Sequence, residues 1–475
     1  MTRGKYDNDR LQKLLTAAQA FDHTDTKTHN RDIQDGAVVI VCSILHSCSP
    51  FFVARAKEIQ LCLTILLRLY RCSEDRLCAS FCTDGTNLIL IFLELIEVNY
   101  RLGKKGDAQH IVLAQRVIDI LCKARVPLSM VKRQEELISS LVGNVHGATG
   151  RFVMHLSMKI LASLSEHHVH NRVILFDADL LDTVLVGSTH TYSPVKEESA
   201  RIIMHLALED KNKADLVQAH NQRWMDATLA FARVSCTVST KTCAIQALRC
   251  MATIPENKII LVQHKNGAVV ETLIQVASSR LVPSQLSINA TKVLSTLTCQ
   301  ATASQIGHHP GLLITLSSLA CREDNHAVVA AMTVKKLATH VHSDDLSHKV
   351  LLQALITMSY SRSLEVLKWT VRGLLEQASF PQDRVKMIGH KGLAASITAL
   401  SMNENEFVMT HAREVLSVLA TDVATARNVR VEKVLQRVSA AKECQDVLDL
   451  CRKKQPRCYS PSSLEEFHFD FSEME

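Results

Sequence analysis

Glycine and proline are scarce in this sequence, 15 and 9 of 475 residues, or about 3% and 2% where about 7% and 5% are usual. Tight turns and sheet corners draw on those residues, so a sheet-rich fold is disfavoured and most of the chain is expected to be helix. Aromatic residues make up 4%. Leu, Val, Ile and Ala must therefore fill the core, and little is left for stacking nucleobases, which counts against a nucleic-acid binder. A membrane-length apolar run is missing too. The longest, Leu88 to Val98, carries Glu94 and Glu97 and falls well short of the ~20 residues a spanning helix needs. Met1 to Arg10 is polar and shows no secretory signal, so a soluble, cytoplasmic chain is expected.

Catalytic signatures are absent as well. The sequence holds no GxxxxGK[ST] phosphate loop, GxGxxG turn, GxSxG elbow, HExxH zinc helix or DDxxD cluster, and no cofactor is implied. Fifteen cysteines, an odd number, read as reduced thiols used as small apolar side chains. The densest group is Cys42, Cys48, Cys62, Cys72, Cys78 and Cys82, with His46 among them. It contains no C-x-x-C pair, so buried thiols are expected there, with zinc as the alternative. Two trios, Cys236, Cys243, Cys250 and Cys444, Cys451, Cys458, recur every seven residues and read as packing stripes if their segments are continuous helix. His167, His168 and His170 read as solvated loop residues.

What is present is a repeat. Asn212-Lys-Ala-Asp-Leu-Val-Gln218 returns 45 residues later as Asn257-Lys-Ile-Ile-Leu-Val-Gln263, and Phe152-Val-Met154 with Ile160, Leu161 and Leu164 returns as Phe407-Val-Met409 with Val415, Leu416 and Leu419. His220, His264, His308, His348 and His390 stand 44, 44, 40 and 42 apart, and Gly267, Gly311 and Gly392 follow three of them within three residues. A helix ending near the His, then a Gly-assisted turn into the next helix, explains that corner. The apolar spacing between corners is helical, which gives two or three short helices per unit. Such a unit cannot cover its own apolar faces and is stable only when stacked on neighbours. Units fall at about 51–100, 105–148, 149–190, 194–235, 238–280, 283–322, 325–362, 363–402 and 405–440.

Leu161 to Phe176 followed by Asp179 to Leu185, and Cys250 to Ile274 with Asn257, His264 and Gly267, resemble the armadillo repeat. The resemblance implies an all-α, right-handed superhelical solenoid over residues 36–440 whose concave groove, lined by third helices, binds other proteins. Importin-like members add regular Trp and Asn residues to that groove. Here the only tryptophans are Trp224, which aligns with the apolar Val269, and Trp369, so an import receptor is disfavoured.

The ends differ in composition. Residues 1–35 are polar and without periodicity and read as a loop or disordered, and 441–458 read as the end of the last helix. There Arg452-Lys453-Lys454 suits a helix C-terminus or a nuclear signal. Residues 459–475 hold five acids and no Lys or Arg, which leaves the rest of the chain at +11 where the whole is +6. That acidic, aromatic tail reads as solvated, with docking in a groove as the alternative.

Asp182, Asp226 and Glu271 align just after the paired apolar positions that open the third helix of three consecutive units. An acid there suits the helix dipole. It also suits a row of carboxylates that takes Lys or Arg side chains from an extended basic segment of a protein partner. The expected function is a non-enzymatic interaction scaffold. An all-α enzyme or enzyme subunit with an unrecognised site is the rival.

Overall fold

The computed structural model describes residues 134–426, apart from a few loop positions, together with scattered residues between 41 and 128. Outside the described residues lie the expectations for 1–35, 441–458 and 459–475, and most of the 51–100 and 105–148 units. So do the 444–458 cysteine trio and the 42–82 cysteines other than Cys62, which is fully buried. Of the described residues 84% are helical and none is in a strand. None of their helices is long and apolar enough to cross a membrane.

The chain divides into two compact bodies, 1–373 and 374–475. In the first, α1 (Gln134–His146) precedes three complete three-helix repeats. These are α2 (Arg151–His167), α3 (Val169–Asp177) and α4 (Leu181–Thr189); α5 (Ser193–Ala207), α6 (Asp210–Gln218) and α7 (Arg223–Ala232); and α8 (Val238–Met251), α9 (Pro255–Gln263) and α10 (Ala268–Ser278). A fourth repeat, α11 (Ser284–Leu297), α12 (Ala303–Gly307) and α13 (Leu312–Ala320), keeps only a five-residue second helix. A fifth has none: α14 (Asn325–His340) is followed directly by α15 (Asp345–Met358). α16 (Leu364–Ser379) carries the chain into the second body, where α17 (Pro381–Gly389), α18 (Leu393–Ser401) and α19 (Glu406–Ala426) pack on one another.

Like helices stack in the first body. First helices α2, α5, α8, α11 and α14 pack in sequence, as do third helices α1, α4, α7, α10, α13 and α15, and second helices α3, α6 and α9. The architecture is an all-α solenoid in three layers. First helices are the most deeply packed, each with a polar stripe left toward solvent, such as Ser239, Thr242, Gln246 and Arg249 on α8; α5 buries Val195, Ala200, Ile202, Ile203, Leu206 and Ala207. Each fully buried Leu, Ile or Val contributes roughly 1.5–3 kcal/mol. Among the described residues Trp224 and Phe231 are the largest side chains wholly inside, and Trp224 lies on Phe176 of the preceding repeat at 5.9 Å.

An asparagine at the third position of each complete second helix ties the layers together. Asn171 Nδ2 donates to Leu164 O at 2.8 Å, at the end of its own first helix. Asn212 Nδ2 donates to Leu206 O and to Arg172 O of the preceding repeat, both 3.2 Å. Asn257 repeats the pattern with Met251 O, 3.1 Å, and Lys213 O, 2.9 Å. All three are buried, where an unmet amide would cost about 1–3 kcal/mol. In the second body Asp383 occupies the same third position, also buried, and Arg384 donates to Ala378 O as Arg172 does to Ser165 O.

Candidate binding face

Third helices α7, α10, α13 and α18 begin at left-handed turns, whereas α4 is entered through Leu180 at φ −71°. Gly267, Gly311 and Gly392 cap α10, α13 and α18 with φ of 94°, 80° and 88°, a region glycine enters without steric cost. The repeat of α7 has no glycine at this point. His220, Asn221 and Gln222 take φ of 52°, 52° and 64° instead, and Gln222 is held by its side chain, Oε1 lying 2.7 Å from Nδ1 of His264.

Asp182, Asp226 and Glu271 stand in the first turns of α4, α7 and α10. The three helices pack consecutively, so the acids form one row at the N-terminal edge of the third-helix layer. Two of them are already engaged. Asp182, 66% exposed, takes Arg223 Nη2 of the next repeat at 2.7 Å. Asp226, 35% exposed, takes Lys265 Nζ at 2.5 Å and His264 Nε2 at 3.0 Å, again from the next repeat. Glu271 is exposed and among the described residues accepts from Gln275 Nε2 of its own helix, 3.2 Å. At the equivalent position of α13 stands Ile314, 67% exposed, so the row ends there.

Sequence reading missed Arg223 and Lys265. Their signal was a base 41 and 39 residues after each acid, legible only once the unit length is known. The histidine ladder divides. His220, His264, His308 and His390 follow second helices, whereas His348 lies inside α15, a third helix. With the second helix of that repeat missing, a spacing of 40 residues brings His348 past the corner. Burial holds His264 below the usual imidazole range against the pull of Asp226. The cysteine trio divides likewise: Cys243 and Cys250 are buried on α8, while Cys236 precedes the helix and its thiol donates to Ala230 O at 3.5 Å. His168 is the single residue joining α2 to α3, flanked by His167 and His170. Among the described residues no three His, Cys, Asp or Glu side chains are grouped to hold a metal.

No family model matches the chain, and no curated protein does. Among solved structures it is similar to an engineered protein at 19% identity, covering 87% of this chain and 99% of that one, with a TM-score of 0.49. Computationally designed armadillo repeat proteins for modular peptide recognition match at 12% identity over 59% of this chain and 99% of theirs, with a TM-score of 0.35. A further designed armadillo repeat protein matches at 13% identity over 59% and 99%, with a TM-score of 0.34. All three scores lie below 0.5, so the repeat architecture rests on the helices themselves.

Proposed function

We propose that the chain is a non-enzymatic scaffold that holds an extended segment of another protein along the third-helix face. The observation that carries this reading is the stacking of α4, α7 and α10 with equivalent exposed positions one repeat apart. Neighbouring helices pack at about 8–10 Å, and an extended chain rises about 3.3 Å per residue. Every third residue of a bound segment therefore meets the next repeat.

At its acid edge the face offers Glu271 directly, and Asp182 and Asp226 only by exchange. A basic side chain approaching those two displaces Arg223 or Lys265 and gains little, because exposed pairs are worth at most about 1 kcal/mol. Joint replacement of Asp182, Asp226 and Glu271 by Ser should weaken binding of a basic segment by about 1 kcal/mol, with salt acting in the same direction. The decisive measurement is hydrogen exchange on the full chain with its purified partner segment. Protection should fall on third helices. Protection confined to first or second helices, or turnover of a substrate by the purified chain, would point to a different surface or to the rival enzyme.

A further inference from the structure

The opposite edge of the same layer carries a column of arginines. Arg233 caps the C-terminus of α7. Arg280 and Arg322 follow the last residues of α10 and α13 by two, and Arg362 follows α15 by four. Because α7, α10, α13 and α15 pack in sequence, one guanidinium per repeat comes to one edge of one layer. A cation beyond a helix C-terminus is favoured by the macrodipole, and that accounts for the placement.

It does not account for the charge balance. At the N-terminal edge Arg223 and Lys265 are each held by a carboxylate. At the C-terminal edge Arg233 and Arg280 are exposed, and no described carboxylate pairs with either. Between Glu271 and Glu365 the sequence has seven Lys and Arg against four acids, Glu323, Asp324, Asp344 and Asp345. Beside the arginines stand two large apolar side chains open to solvent, Leu281 at 87% and Tyr360 at 65%. Most third-helix and loop positions of this stretch that are apolar turn inward; these two do not, and nor does Ile314 at the other end of α13.

We propose that this edge docks an extended acidic segment of a partner protein, with carboxylates about three residues apart and apolar side chains between them. The inference rests on the third-helix face being the binding surface, and it fixes the charge of what binds there. The spacing follows from the repeat rise and the extended chain as before. Guanidinium groups suit the task because each can grip a carboxylate through two parallel hydrogen bonds. Leu281 and Tyr360 would cover the apolar side chains of the segment.

A fluorescent twelve-residue peptide with Glu at every third position and Phe between, titrated into the full chain, tests this beside the same peptide with Lys in place of Glu. The Glu probe should bind and should weaken with rising salt. Arg233→Ser/Arg280→Ser should weaken it at least tenfold, while Arg233→Lys/Arg280→Lys, which keeps the charge but not the paired hydrogen bonds, should weaken it less. Asp182→Ser/Asp226→Ser should leave the Glu probe bound as tightly or more so. The chain's own run Glu465 to Phe471 has the same composition; if a chain ending at residue 464 binds the Glu probe more tightly, that run competes for the edge and supports its assigned chemistry. Equal binding of the Glu probe to the Ser and parent chains overturns the inference. Binding of the Lys probe alone, lost on Glu271→Ser, overturns it too but leaves the groove reading standing. Failure of both probes to bind overturns both.

Discussion

His205 shows how a single buried side chain ties stability to pH. It is 4% exposed on α5, with Nδ1 3.0 Å from Ala162 O of the preceding repeat and 2.9 Å from Ser165 Oγ. The carbonyl accepts, so Nδ1 carries the proton and the neutral ring fits. Burial brings its pKa down to about 4, against an ordinary value near 6.5. The unfolded chain therefore binds a proton the folded one refuses. The stability present above pH 6.5 is lost as pH falls toward 4, by up to about 3 kcal/mol for this residue. Urea denaturation of the parent chain at pH 7.5 and pH 5 should show the loss, and His205→Gln should flatten it. An unchanged slope in that variant would assign the pH dependence elsewhere. None of this was legible in the sequence, where His205 lies outside the ladder of histidines that the spacing picks out.

At the scale of the helix, two glycines of the same type have opposite roles. Gly187 lies in α4 where it faces the next repeat, and a Cβ there would overlap Ser199 Oγ, with Met158 Cε at 3.3 Å. Gly143 lies in α1 with nothing within 4 Å of where its Cβ would stand. Glycine inside a helix normally costs about 1 kcal/mol relative to alanine. Gly143→Ala should recover about that amount, whereas Gly187→Ala should destabilise by about 1–3 kcal/mol through overpacking. Thermal melts of the two variants check the pair, and a shared sign would refute the close approach of α4 to α5. The sequence did reveal where helices stop and turn, through Gly267, Gly311 and Gly392, because a left-handed corner leaves few choices of residue. It marked the corner of α7 through His220 alone, because Gln222 takes the left-handed backbone there in place of a glycine, and it concealed the missing second helix between α14 and α15. A periodic histidine cannot distinguish a corner from a helix interior when the connecting segment has been shortened.

At the scale of the whole array, the period, the helical class and the alignment of Asp182, Asp226 and Glu271 were readable because stacking imposes one template on every repeat. The engagement of Asp182 and Asp226 was not, since it depends on side chains 41 and 39 residues away reaching across an interface. The asparagine ladder lies between these cases: its residues were visible, its bonds were not. Asn257→Ala removes the donor to Met251 O and to Lys213 O and should cost about 2–3 kcal/mol. The loss should loosen the junction between the repeats of α6 and α9, measurable as early hydrogen exchange on either side of it. Exchange that quickens only globally would show that the ladder does not hold that junction.

The ladder also has a direction. Asn212 and Asn257 each reach back to the repeat before, and so does His205, while in the forward direction Lys213 reaches Thr253 only at the exposed surface. Peeling away the last repeat of such a series strands no buried side-chain amide of the ladder, whereas removing the first strands buried amide donors in the one that follows. The array is a ratchet in its unravelling, easier to open from its C-terminal side than from its N-terminal side, and a pulling force applied to the two ends would meet unequal resistance.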